Sequence, residues 1–164
     1  MAFDSPLFRI RQHHGLEHAT ITLLSRRLPG VQLFARSDLQ GFIVVGDVET
    51  ATLASAVEEA LARLQAGESK LAVHPNCGTN LVTAGVLSGL AAFVATSGRS
   101  RTLADRLPSA VLAATLALLV ATPAGRWAQE NLTTSPELAG ASLAGVTRLA
   151  DGPVVRHRVS IAHA

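Results

Sequence analysis

Hydrophobic positions along this chain follow two different patterns. Toward both ends they are interrupted by polar residues at regular spacing, whereas 81–98 and 107–125 are continuous apolar runs without a charged residue. With His14 set to zero and about 100° per residue, Ile10, Ile21, Leu24 and Leu28 collect between about 280° and 340°, which predicts an amphipathic helix. Asp4-Ser5-Pro6 supplies a cap with proline in the first turn and Leu28-Pro29-Gly30 a stop, so this helix is expected from Ser5–Leu7 to Arg27. The short β-prone runs 31–35 and 42–45 flank Arg36–Gly41 and predict a hairpin. Leu53, Val57, Leu61 and Leu64 form one stripe of a second helix, from Glu49 or Thr50 to Gln65, ended by Gly67. Residues 71–73 can add a strand, and 130–143 reads as a helix or loop started at Ser135-Pro136-Glu137. Runs 146–149 and 154–161, around Asp151-Gly152-Pro153, predict a terminal β-hairpin. Its Val155, His157, Val159 and Ile161 share one face, and Arg156, Arg158 and Ser160 the other.

Each uncharged run is near the length that crosses a bilayer at about 1.5 Å per residue. Joined by a short loop bearing Arg99, Arg101 and Arg106, the two predict a transmembrane helical hairpin. Gly85 and Gly89, with Ala84, Ser88 and Ala92 nearby, offer small residues for close helix approach, with the second run as partner, and Trp127 suits a membrane interface. Neither run holds an ionisable group, which argues against a channel or proton relay. The expected fold class is therefore α+β. A helix-strand-strand-helix domain, completed by the C-terminal hairpin, spans 1–78 and 140–164; a transmembrane hairpin is inserted at 79–127, and 128–139 connects.

Composition agrees. Of 164 residues only 16% are charged and 4% aromatic, and the mean hydropathy is +0.33, too apolar for an ordinary soluble protein. The net charge of +2 is spread rather than clustered, so no nucleic-acid partner is expected. The single cysteine, Cys77, rules out an internal disulfide. Positive charges favour a cytoplasmic hairpin loop, whereas an N-terminus without a signal-peptide core favours a cytoplasmic soluble domain. The second cue is preferred, giving a multi-pass protein of a prokaryotic cytoplasmic membrane.

The chemistry concentrates in Gln12–Leu24, where His14, Glu17 and His18 form an HxxEH motif. On the predicted helix His18 falls near 40° and Glu17 near 300°, so two imidazoles and a carboxylate share one inward face, the arrangement of a zinc-type site with a base over the metal. The alternative is a core-facing pair hydrogen-bonded to Glu17 and backbone. Gly15 inside the motif lowers helix propensity by about 1 kcal/mol relative to alanine, which predicts a close neighbour. His74-Pro75-Asn76-Cys77-Gly78 brings a second imidazole and a thiol to a turn, three residues apart, a spacing that suits two ligands of one metal or simply a helix-capping turn. His157, on the apolar side of its strand, is either a satisfied core residue or a further ligand, while His13 and His163 read as surface.

At His14-Gly15-Leu16-Glu17-His18-Ala19-Thr20 the chain resembles an uncharacterised bacterial family of small membrane proteins that pair this motif with a His-Pro-Asn-Cys-Gly-Thr-Asn-like turn and two spans. That resemblance implies no activity. By motif alone the HxxEH also resembles the inverzincin (pitrilysin-type) zinc peptidases. It implies His14 and His18 as zinc ligands and Glu17 as the catalytic base. Those peptidases take a third ligand from a glutamate some seventy residues downstream, where this chain has only its uncharged first span, so His74 or Cys77 must supply it here. The expected function is a membrane-anchored zinc-dependent hydrolase with metal ligands His14, His18, His74 and Cys77. Its competitor is a non-catalytic membrane subunit or assembly factor, as a homo-oligomer or in a larger complex, with the cluster structural.

Overall fold

Ser5 starts the first helix, its hydroxyl accepting the Phe8 N–H at 3.2 Å with Pro6 immediately following, and α1 runs Pro6–Arg27. The structure, a computed structural model, describes residues 5–97, 102–149 and 154–164. Asp4, Arg99, Arg101 and Asp151-Gly152-Pro153 lie outside the described residues. The other elements are β1 (Phe34–Asp38), β2 (Gly41–Val45), α2 (Thr50–Gln65), a 3-10 turn (Ser69–Ala72), α3 (Gly78–Thr96), α4 (Leu103–Ala128), a π-helical turn (Gln129–Thr133), β3 (Ala141–Leu149) and β4 (Arg156–His163). They fall into two units: Met1–His74 with Glu130–Ala164, and Pro75–Gln129.

The first unit is a mixed α/β arrangement. Its antiparallel sheet has the order β1-β2-β4-β3, so the C-terminal hairpin completes the N-terminal one by pairing β4 with β2. Phe42, Val44 and Val159 turn one sheet face onto Leu16 and Leu24 of α1 and Leu53 and Val57 of α2, all fully buried. Burying side chains of this size stabilises the unit by about 1.5–3 kcal/mol each. The opposite sheet face carries Arg36, Ile43, Arg158 and Thr147 in one row across all four strands. Arg158 pairs there with Asp38 at 2.5 Å. Burial pushes the Asp38 carboxyl up, but the Arg158 hydrogen bond and the Gln40 N–H outweigh it and hold it below its ordinary range.

Several boundaries differ from expectation. β1 takes in Arg36, Ser37 and Asp38, with Asp38 opposite Gly41, so the hairpin turn is Leu39-Gln40 alone. Polar residues fit a strand here because one face is open to water and Ser37, on the other, is engaged by α1. Residues 69–72 form a 3-10 turn in place of the strand expected at 71–73. β3 is longer than predicted, beginning at Ala141, and β4 is shifted by two residues, running from Arg156 to His163. Between Gln12 and Leu24, α1 is buried almost all round rather than along a single arc, because backbone segments as well as the sheet and α2 close over it.

His157 is fully buried and opposite Val44 on β2, and its Nε2 meets the Thr50 hydroxyl at 3.0 Å. Its Nδ1 has no hydrogen-bond partner among the described residues.

In the second unit α3 and α4 are antiparallel: Ser88 donates to the Ala114 carbonyl at 3.4 Å, and the Gln129 amide donates to Asn80 Oδ1 at 2.7 Å. The two helices pack tightly at Gly125, where a Cβ would come within 2.5 Å of Asn80 Oδ1. Gly85 and Gly89, expected at the helix interface, instead face open space, since the inner positions of α3 repeat one residue earlier. Gly78–Thr96 and Arg106–Thr133, with mean hydropathy 1.5 and 1.8, are long and apolar enough to cross a membrane. Leu81, Phe93 and Leu119 are among their exposed side chains. Trp127 is exposed at the end of α4.

Burial, reinforced by the charge of Arg148, pushes His157 below its ordinary value of 6.5. The unfolded chain therefore binds this proton more readily. The stability His157 contributes is complete above pH 6.5 and is lost as pH falls through that value toward its lowered folded one. Thermal unfolding between pH 7.5 and 5 should show this decline, with a shallower slope in His157→Leu; parallel profiles would contradict it.

Candidate metal centre

Imidazoles four residues apart on a helix lie on one face, and α1 places His14 and His18 with ring centroids 4.4 Å apart. His74, just beyond the 3-10 turn, lies against the second of them, its centroid 5.8 Å from that of His18. With metal–nitrogen bonds of about 2.1 Å, imidazoles sharing one ion have centroids about 4.5 Å apart at a right angle and about 5.2 Å at the tetrahedral angle. The three rings bracket that range.

The hydrogen bonds fix which nitrogen faces inward. His14 Nδ1 is 3.0 Å from the Thr133 carbonyl, and His18 Nδ1 is 2.8 Å from the Ala72 carbonyl. A carbonyl only accepts, so each Nδ1 carries the proton and donates it, and each Nε2 keeps its lone pair. Metal-ligating histidines are oriented in this way, by an outer hydrogen bond that selects the tautomer. His18 is buried, and His14 and His74 are half-buried.

The segments that carry the two accepting carbonyls also pack closely at residue 15, a glycine. A Cβ there would overlap the Ser135 carbonyl oxygen and lie 3.2 Å from the Ala72 methyl. The close neighbour expected from the sequence is thus the Ser135 backbone, with the Ala72 methyl beside it. That backbone is further held by Arg11, which donates to the Asn131 and Thr134 carbonyls at 3.0 and 3.1 Å and accepts the Ser135 N–H on its own carbonyl at 2.8 Å.

Glu17 is buried, and Ser37 of β1 donates to its Oε2. Its carboxylate is therefore anchored to the sheet, whereas the anchors of His14 and His18 are Thr133 and Ala72. Cys77 belongs to the other unit, where it caps α3 by accepting the Thr79 N–H on Sγ at 3.4 Å. His157 is turned to Thr50 and away from the anchors of the pair.

His13, expected at the surface, is not there, whereas His163, expected there too, is half-buried. His13 is fully buried; its Nδ1 is 2.7 Å from the Asp38 carbonyl and its Nε2 is 2.9 Å from His163 Nε2. Burial depresses the His13 pKa despite the Asp38 carbonyl and charge. One signal is available in the sequence: His13 falls at about 260° on the helical wheel, bordering the apolar arc.

Residues 9–146 match a family described as a domain of unknown function, DUF6391. An uncharacterized protein of Picosynechococcus sp. is 38% identical over 139 residues, which cover 79% of this chain and 67% of that protein. No solved structure matches.

Gly15→Ala should force the Ser135 and Ala72 segments off α1. Overpacking of this kind costs about 1–3 kcal/mol. A fall in thermal unfolding temperature relative to Gly30→Ala, whose Cβ meets nothing within 4 Å but whose φ of +90° carries backbone strain, would measure the steric part; equal shifts would mean there is none.

Proposed function

Since this chain belongs to the DUF6391 family, whose match takes in both the HxxEH helix and the two apolar helices, we propose that it is a membrane-anchored metal-binding protein. A zinc-type divalent ion is held by His14, His18 and His74, with Cys77 completing the set. The observation that carries this is the pair of Nδ1–H donors committed to the Thr133 and Ala72 carbonyls, which leaves the Nε2 lone pairs on two rings whose centroids are 4.4 Å apart. A divalent cation is the partner for which imidazoles oriented by such outer hydrogen bonds are suited. Cys77 enters through the chain itself: it follows His74 by three residues, within about 11 Å even if extended. Nitrogen and sulfur donors in this number suit zinc.

The α3–α4 pair is proposed as the anchor, because its apolar side chains face outward and both helices are long enough to cross a bilayer. If water takes the place of Cys77, the site is open and belongs to a hydrolase. Glu17 would be its general base, oriented by Ser37 through Oε2. With Cys77 bound, the site is closed and structural, as fits a non-catalytic membrane subunit.

Elemental analysis of the detergent-purified full chain should find about one equivalent of zinc or a similar ion, and His14→Ala/His18→Ala should lose most of it. Equal metal content in the two proteins removes the proposal. In the cobalt-substituted protein, a thiolate charge-transfer band abolished by Cys77→Ser would mark the closed form, whereas no such band would mark the open one.

A further inference from the structure

Strand alternation gives the sheet a second face, turned away from α1 and α2. Because Ala35, Val44, Val146 and Val159 pack toward the core, their neighbours along each strand point the other way. Cross-strand register orders those neighbours into rows. Phe34, Val45, Arg156 and Leu149 lie side by side at one end of the sheet, and Arg36, Ile43, Arg158 and Thr147 form the next row, about 6.7 Å further in. Phe34 is 68% exposed, and Val154, two residues before Arg156, is 52% exposed. An apolar edge is thus backed by arginine.

The charge on these two rows is one-sided. They hold three arginines and no acid, and Asp38, one row further on the same face, already pairs with Arg158. Arg36 is exposed and makes no hydrogen bond or ion pair among the described residues. A water-facing phenylalanine beside an unmatched guanidinium fits the boundary of a bilayer, where acyl chains end and phosphates begin. Binding at that boundary strengthens with the apolar area inserted and with attraction to anionic lipids. Both chain connections of this unit run into the proposed anchor, α3 beginning at Gly78 and α4 ending at Ala128. A bilayer that holds the anchor is therefore tethered to this unit at both ends, which favours lipid over an acidic protein as the occupant.

We propose that this sheet face lies on an anionic lipid surface, Phe34 entering the boundary between headgroups and acyl chains and Arg36 meeting lipid phosphate. Val45 and Leu149 flank the inserted ring, and Arg156 and Arg158 add positive potential without changing the partners they already have. The inference is independent of the metal reading and rests on the anchor alone.

Quenching of tryptophan by lipids brominated near the headgroup tests it, in the full chain reconstituted into phosphatidylcholine vesicles with and without phosphatidylglycerol. Trp127 is the chain's only tryptophan; in the unaltered protein its quenching reads the anchor and should not depend on the headgroup. In Phe34→Trp/Trp127→Phe the emission reads the sheet face instead. The ratio of docked to undocked face should be about fivefold higher in the anionic vesicles, the gain expected for one arginine at such a surface. In this background Arg36→Glu should remove the gain and Arg36→Lys should keep it. Arg26→Glu, exposed at the end of α1, should leave it unchanged. Quenching at position 34 that is absent, indifferent to the anionic lipid or equally lost with Arg26→Glu would overturn the proposal. Displacement by inorganic phosphate at matched ionic strength would overturn it too, by assigning Arg36 to a free anion. Unquenched Trp127 would instead remove the anchor, and headgroup-dependent quenching at position 34 would then stand as surface binding in its own right.

Discussion

The first unit depends on a steric allowance at one residue. The backbone at Ser135 can lie against the middle of α1 because position 15 has no side chain, and the Ala72 methyl packs beside it. Their segments bring the carbonyls that hold His14 and His18. A helix normally loses stability from an internal glycine, by about 1 kcal/mol relative to alanine. Here the close backbone approach outweighs that loss, since it satisfies polar groups that would otherwise be stranded.

That exchange explains why α1 tolerates so many buried polar side chains. Gln12, His13, Glu17, His18 and Thr20 are all buried, and each has a named partner. Gln12 meets the Glu137 carbonyl, His13 the Asp38 carbonyl, Glu17 the Ser37 hydroxyl, His18 the Ala72 carbonyl and Thr20 the Leu16 carbonyl. Four of the five bonds end on backbone oxygens. Such partners cannot drift as flexible side chains do, so the imidazoles are held in single tautomers.

Patterning makes much of this legible. The starts of both N-terminal helices, the pairing of two hairpins into one unit and the two apolar helices follow from spacing, caps and uncharged length. The motif also places His14 and His18 together. What cannot be read is the identity of their partners, because a carbonyl oxygen is common to every residue and leaves no mark in a sequence. For the same reason His13 passes for a surface residue, and Glu17, expected over a metal with the histidines, is anchored to Ser37. The polar strand Arg36-Ser37-Asp38 escapes detection because hydrophobic alternation fails where one face meets water and the other meets a buried carboxylate.

Ala72 and Thr133 flank the α3–α4 excursion in the chain, one shortly before it and the other shortly after it. The imidazole pair is thus oriented by both sides of a long detour, and β4 must still enter between β2 and β3 after that detour ends. During synthesis the motif helix emerges early but waits, with its histidines unrestrained, until residue 133 has been made. Contacts this distant in sequence form late, so both imidazoles can be held in place only after the whole apolar segment between their anchors has been translated.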